Sequence, residues 1–311
     1  MDIKQIATAL SKSPAVLEKS QIRSAYQPAE KVSGSIFLGD DAAAIPYHDQ
    51  WLLFAGEAML PSFIRKDPWF AGYSAVMVNI SDIASMGGRA IAIIDLLWKS
   101  NESQAGALWE GMQEASKKYQ VPIVGGHTSS LEHETLLGAS IIGEAKKLLT
   151  SFDAKAGDEL LLAVDMRASY RGDDPFWNAS VEADSERLRG DLELLPLLAE
   201  AGLCHAAKDI SNAGIFGTLM MFLECSQIGA SVCLDKLFRP NDGDFIRWLT
   251  AFPSFGFLLA IEASKVSDVV SLFHQRDIAC ASVGMFHTIK ELNLIQGNEQ
   301  LTLWRDGQLV S

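Results

Sequence analysis

Basic residues are scarce in this chain. Its 311 residues include 26 lysines and arginines against 39 aspartates and glutamates, a net charge of −13, with no lysine/arginine run. That balance argues against nucleic acid or an anionic membrane as the main partner. An anionic ligand would have to be held by cations, backbone N–H groups or a few arginines. Cysteine is also sparse: Cys204, Cys225, Cys233 and Cys280 are irregularly spaced, with no Cys-x-x-Cys. They read as reduced thiols of a cytoplasmic protein. No run of about 18 apolar residues exists, so no membrane span is expected. The opening Met1-Asp-Ile-Lys-Gln5 lacks the pattern of a secretory signal. No Gly-x-x-x-x-Gly-Lys occurs, which excludes a P-loop nucleotide site. Solenoid repeats and low-complexity segments are missing too.

What remains is an ordinary globular composition, 48% hydrophobic and 21% charged, long enough for two domains. The polar, turn-rich segment from Lys146 to Asp158 is the expected boundary, giving domains 1–148 and 149–311.

One stretch organises the rest: Val76-Met-Val-Asn-Ile-Ser-Asp-Ile-Ala-Ser-Met-Gly-Gly88. Val76, Ile80, Ile83 and Met86 recur at helical spacing, and Gly87-Gly88 supplies a left-handed stop. No lysine or glutamate lies between Gly72 and Gly88, so the helix is expected to be buried all round. Yet Asp82 sits within it, with Asn79 one turn earlier. A buried carboxylate needs a base or a metal. Arg89 is the nearest basic residue in sequence, beyond the glycine break. Either Asp82 holds a divalent ion or it caps a neighbouring loop, and this stretch alone leaves the two readings even.

Further polar groups fall at the ends of predicted strands. Residues 1–30 open with an amphipathic helix whose Ile3, Ile6, Ala7 and Leu10 share a face. Ser33–Leu38 reads as a loop entering a strand, after which Gly39-Asp40-Asp41 presents two carboxylates. Gln50–Ala55 reads as a strand ending in Gly56-Glu57, and Pro61–Asp67 as a polar loop. Ala90–Leu97 is a continuous apolar run, hence a strand buried on both faces. A helix is expected over Ser103–Tyr119. Val121–Val124 leads into a loop, Gly125-Gly126-His127-Thr128-Ser129-Ser130, where paired glycines let the backbone approach a phosphate. In the second half, Glu159–Val164, Gly229–Leu234, Pro253–Ile261 and Ala279–His287 read as strands. Ser185–Gly202 reads as a helix kinked at Pro196. Asp209, Ser211 and Asn212 precede a nearly uncharged helix, Ile215–Cys225. They serve either an anion at the helix start or the helix cap itself.

Four of these blocks, taken in order, resemble the aminoimidazole ribonucleotide synthetase (PurM-like) superfamily: Gly39-Asp-Asp-Ala-Ala, Asn79-Ile-Ser-Asp-Ile-Ala-Ser-Met-Gly-Gly88, Gly125-Gly-His-Thr128 and Asp209-Ile-Ser211. Their order and spacing look most like thiamine-monophosphate kinase. The resemblance implies a two-domain fold, α/β plus α+β. The N-terminal domain would dimerise through a β-barrel, and the C-terminal domain would close over the nucleotide. It implies ATP with Mg²⁺ as cofactors, a small-molecule substrate and a homodimer. Asp41 and Asp82 would hold metal, with Asp40 and Glu57 beside them and Asp209 joining from the second domain. Gly125, Gly126, His127 and Thr128 would lie along the phosphates, with Ser211 nearby. Trp109 falls where the kinases carry an ATP-contacting aromatic.

The departures bear on substrate. Glu57 stands where the kinases have aspartate, His127 where they have the aspartate of Gly-Gly-Asp-Thr, and Asn212 where they have a further aspartate. Ser151 replaces an ATP-contacting arginine, and Ser254-Phe-Gly-Phe-Leu-Leu replaces the Gly-x-Asp-Tyr-Glu substrate segment. The resemblance therefore implies an ATP- and Mg²⁺-dependent, kinase-like phosphoryl transferase with an altered substrate site. The alternatives are a synthetase- or dehydratase-type ATP-activating enzyme and a non-catalytic nucleotide-binding regulator. His127 is the one candidate for a general base.

Overall fold

A computed structural model describes residues 1–21, 38–241 and 243–310. In chain order come helices α1 (Ile3–Lys12) and α2 (Pro14–Gln21), then strands β1 (Ala43–Tyr47) and β2 (Gln50–Ala58). Helices α3 (Pro61–Lys66) and α4 (Pro68–Ser85), strand β3 (Arg89–Lys99), helix α5 (Glu102–Tyr119) and strands β4 (Ile123–Ser130) and β5 (Leu136–Ala145) follow. Next are β6 (Glu159–Val164), β7 (Ser169–Tyr170), β8 (Phe176–Asn178), α6 (Ser185–Leu192), α7 (Leu194–Glu200), β9 (Ala206–Asp209), α8 (Gly214–Ser226) and β10 (Gly229–Cys233). The last elements are α9 (Phe245–Leu249), β11 (Phe252–Pro253), β12 (Gly256–Ile261), α10 (Val266–His274), β13 (Ala279–His287), β14 (Glu291–Gln296), β15 (Glu299–Arg305) and β16 (Gln308–Leu309).

The chain divides into two compact units. One holds Met1–Asp40, Leu149–Ser180 and Leu197–Ser311; the other holds Asp41–Leu148 and Val181–Pro196. The smaller unit is built on a five-stranded sheet of order β1-β2-β5-β3-β4. Helices α4 and α5 cover one face and cross closely, because glycine lets their backbones touch. A Cβ on Gly72 would lie 2.0 Å from the Leu108 carbonyl oxygen, and one on Gly111 would lie 1.9 Å from that of Trp69. The sheet is open, with β1 and β4 at its edges.

The larger unit is built on an eight-stranded sheet of order β16-β15-β14-β10-β13-β6-β12-β9, plus a small sheet of β11, β8 and β7. Its core packs α1 and α8 residues such as Ile6, Leu10, Phe216 and Phe222 against Leu160, Leu162, Leu258 and Leu294 of the sheet. Helix α1 forms because Asp2 caps it in a capping box with Gln5. Its four expected inward residues, Ile3, Ile6, Ala7 and Leu10, are all buried.

Several expectations are corrected. Pro61–Lys66 is a helix rather than a loop, since Pro61 sits at the first helical position, where its missing N–H costs nothing. The expected single helix over Ser185–Gly202 is two helices, broken at Glu193. The missing N–H of Pro196 leaves the Leu192 carbonyl without its helical donor. Gly125–Ser130 is not a loop but part of strand β4, paired in parallel with Ile94–Lys99. Strand β3 is not buried on both faces: Ile93, Asp95 and Leu97 are buried, while Ile94, Leu96 and Trp98 are exposed. The acids of Gly39-Asp40-Asp41 lie ahead of strand β1; the strand expected over residues 33–37 lies outside the described residues.

Candidate functional site

The smaller unit carries two of the four blocks whole and the first from Asp41 onward. Helix α4 is buried from Phe70 to Ser85, as its uncharged sequence requires, and Gly87 ends it with a φ of +73°. Asp82 is only 6% exposed within it. The Arg89 Nε donates to Glu193 at 3.0 and 3.1 Å. One turn before Asp82, the Asn79 side-chain amide donates to the carbonyls of Ala75 at 2.7 Å and Ala139 at 3.4 Å. The Asn79 Oδ1 is buried and has no hydrogen-bond partner among the described residues.

Beneath Asn79 the sheet register lines up a row of groups. Glu57 of β2 and Asp95 of β3 flank Ala139 of β5, and Gly126 of β4 flanks Asp95. Register partners share a face, so all four side-chain positions lie on the helix-covered side. Glu57 falls inside β2 because that strand runs on to Ala58. Asp95 is buried, and desolvation holds its carboxyl above the usual carboxylate range. Its carboxylate lies over Gly126: a Cβ there would meet the Asp95 Oδ1 at 2.3 Å, so only glycine fits. Thr128, two residues on, is on the same side. His127 pairs with Leu96 and is on the opposite, open face, with its Nε2 3.0 Å from the Ser129 Oγ. Gly125, partner of Ile94, is on that face as well. Trp109 is exposed on α5, and Asp41 is half-buried just before β1.

The larger unit carries the fourth block and Asp40. Asp209 ends strand β9, buried opposite Phe257. The Ser211 Oγ accepts a 2.6 Å hydrogen bond from the Lys19 Nζ, and the Ser211 N–H donates to the Thr218 Oγ1 at 3.2 Å. Asn212 takes the Ala213 N–H at 3.1 Å rather than capping α8. Ala213 and Gly214 are both left-handed, at φ +73° and +65°, and the helix start has no side-chain cap. Both Asp40 carboxylate oxygens accept from Ser151: Oδ1 from its hydroxyl at 2.6 Å, Oδ2 from its N–H at 2.9 Å.

Sequence reasoning passed over Asp95, Lys19 and Lys208. The signal for Asp95 was on view, as the single acid inside the apolar run Ala90–Leu97. Lys208, 2% exposed, sits between two alanines and Asp209 in strand β9. Lys19 meets Ser211 across 192 positions, which no local pattern reveals.

The chain belongs to the AIR synthase-related family. Residues 39–145 match the family's N-terminal domain and residues 148–288 its C-terminal domain. It is 43% identical to the uncharacterized protein sll0787 of Synechocystis sp. over 294 residues, covering 93% of this chain and 91% of that one. It is 33% identical over 129 residues to the thiamine-monophosphate kinase of Pyrococcus horikoshii, covering 39% of this chain and 41% of the kinase. By fold it is similar to T. maritima PurL complexed with ATP, with a TM-score of 0.74 at 18% identity, covering 96% of this chain and 50% of that one. This chain thus spans about half the length of the PurL chain it matches. It is also similar to AaThiL complexed with AMPPCP and TMP, with a TM-score of 0.66 at 14% identity, covering 98% and 99% of the two chains. Among the described residues no helix is long and apolar enough to cross a membrane.

Proposed function

We propose that this protein is an ATP- and Mg²⁺-dependent phosphoryl transferase acting on a small metabolite. The observation that carries the reading is Asp82: a carboxylate planted in a helix buried on all sides, in a family whose solved relatives include proteins complexed with ATP and AMPPCP. A magnesium ion at this site would take one of its oxygens as a ligand. Carboxylate oxygens are hard donors of the kind magnesium takes. Among the described residues no three His, Cys, Asp or Glu side chains gather to form a metal cage. Mg²⁺ is commonly held by one or two carboxylates, with nucleotide phosphates and water completing its octahedron. Asp41, Glu57 and Asp82 would supply such oxygens, and Asp209 is the candidate carboxylate of the larger unit. The ion would neutralise charge on the transferred phosphoryl group. Gly126 and Thr128 would lie along the phosphates, Ser211 would donate its hydroxyl, and Trp109 would stack on the base. The free cysteines fit a reducing, cytoplasmic setting.

A homodimer belongs to the same reading. The open sheet face exposes Phe54, Ile94, Leu96, Trp98, Val124 and Ile142, an apolar surface that a second copy would cover by extending the sheet into a barrel.

Titration calorimetry tests the core of the proposal. Wild type should bind ATP only when Mg²⁺ is present, and Asp82→Asn should weaken that binding at least about tenfold, or about 1.4 kcal/mol. Absence of heat from wild type with ATP and Mg²⁺ overturns it. A second reading, a nucleotide-binding regulator without turnover, is favoured by His127, which shares the open face with Leu96 rather than the face of Asp95 and Gly126. Phosphorus NMR over a panel of small alcohols and phosphate monoesters separates the two. A new phosphoryl ester supports the transferase, and bound but unconsumed ATP across the panel supports the regulator.

A further inference from the structure

Ser151 uses every polar atom it has. Its N–H and hydroxyl both go to the Asp40 carboxylate, at 2.9 and 2.6 Å. Its carbonyl accepts from the Ser226 hydroxyl at 2.6 Å, and the Lys208 Nζ reaches its Oγ at 3.4 Å. The side chain of Ser226 in turn accepts the Ala154 N–H at 3.2 Å, and the Cys225 Sγ donates to the Gly39 carbonyl at 3.4 Å. Ser151 is fully buried and Lys208 nearly so. Four segments distant in sequence therefore meet at one residue: Gly39–Asp40, Leu149–Ala154, the end of α8 and strand β9.

Their places along the chain give this knot a meaning. Asp40 is the last residue of its unit before the chain crosses to the other, and Ser151 is the third residue after the chain returns. Asp40 is one peptide bond from Asp41, and Lys208 is one peptide bond from Asp209. A carboxylate that accepts two hydrogen bonds from one serine, one of them from a backbone N–H, is fixed in direction. A lysine this deep needs acceptors, and the serine hydroxyl links it to the same carboxylate.

We infer that Asp40, Ser151 and Lys208 form a positioning relay that fixes the backbone from which Asp41 and Asp209 project. Asp40 is then a positioning residue and Asp41 the cation ligand of the Asp-Asp pair. The inference rests on the proposed cation-binding roles of Asp41 and Asp209. It also accounts for a residue of serine type at position 151, since only serine and threonine carry a hydroxyl donor on Cβ, so close to their own N–H.

The test compares Asp40→Asn, Ser151→Ala, their double variant and Asp41→Asn. Two readouts apply: the Mg²⁺ concentration for half-maximal ATP binding, and hydrogen–deuterium exchange of the peptide covering Gly39–Tyr47 without nucleotide. Asp40→Asn and Ser151→Ala should each raise the Mg²⁺ requirement three- to tenfold and speed exchange around Gly39–Ala42. The double variant should be no worse than the worse single one, as coupled partners require. Asp41→Asn should lose Mg²⁺-dependent binding while leaving exchange unchanged. The inference is overturned if Asp40→Asn abolishes Mg²⁺-dependent binding while Ser151→Ala leaves it intact, because Asp40 is then a direct ligand. It is equally overturned if neither variant changes exchange. Should wild type bind no ATP with Mg²⁺, the functional proposal fails, and the exchange data still decide whether the relay holds the segment.

Discussion

Strands β3 and β12 carry the same kind of sequence and meet opposite surroundings. Ala-Ile-Ala-Ile-Ile-Asp-Leu-Leu in β3 and Gly-Phe-Leu-Leu-Ala-Ile in β12 are both continuous apolar runs. Every residue of β12 is buried, whereas β3 buries only alternate residues and exposes Ile94, Leu96 and Trp98. An apolar run says that both faces of a strand avoid water. It does not say whether the same chain covers the second face. For β12 it does; for β3 it does not among the described residues, and a second copy is the cover we propose.

That contrast can be broken in stages. The largest effect is expected at Phe257 in β12, fully buried: Phe257→Ala should cost about 3–5 kcal/mol in urea unfolding. A loss below about 1 kcal/mol would mean that the second face of β12 is not a packed core. Next comes Leu96→Asp on the open face of β3. Its effect on the isolated fold should stay within about 0.5 kcal/mol, because the side chain is already exposed. Sedimentation velocity should nevertheless shift from dimer to monomer. A wild type that is monomeric at all concentrations would sink the dimer, and a variant that stays dimeric would move the interface elsewhere.

The covered face of β3 offers a subtler measurement. Burial raises the Asp95 pKa, so the folded state holds that proton more tightly than the unfolded state, whose reference value is 3.8. Stability from this group is fully present below 3.8 and is lost as pH rises through the higher folded-state value. Asp95→Asn should therefore melt higher than wild type above that window, with the gap closing as pH falls towards 3.8. A gap that widens on acidification would show that the carboxylate is stabilised by a partner. The smallest effect concerns the thiols. Burial pushes Cys204 and Cys280, both in the larger unit, up to about 12, while Cys225 and Cys233 are half-buried. Ellman's reagent at pH 8 should titrate two thiols in the folded protein and four after unfolding.

Local sequence showed the residue types around α4 better than their geometry. The Asn79–Gly88 block announced a buried helix with an acid inside it, and the structure has that helix, ended at Gly87. The spacing rule works there because helix periodicity and charge exclusion act within a few turns. Glycines 125 and 126 suggested a loop by their flexibility, yet pairing with β3 draws them into a strand. Ladder hydrogen bonds to a distant segment outweigh the local preference of glycine. The same pairing decides that His127 and Thr128 face opposite ways, and that Asp95 lies over Gly126.

By itself the sequence determined the buried character of α4, through its lack of charge, and the family, through the order of its motifs. Only the tertiary structure decided which carboxylates are engaged by protein donors: Asp40 by Ser151, Glu193 by Arg89. It alone left one face of the five-stranded sheet bare. Those outcomes depend on contacts between residues about 30 to 110 positions apart, and pairings over that distance leave no periodic trace in the chain.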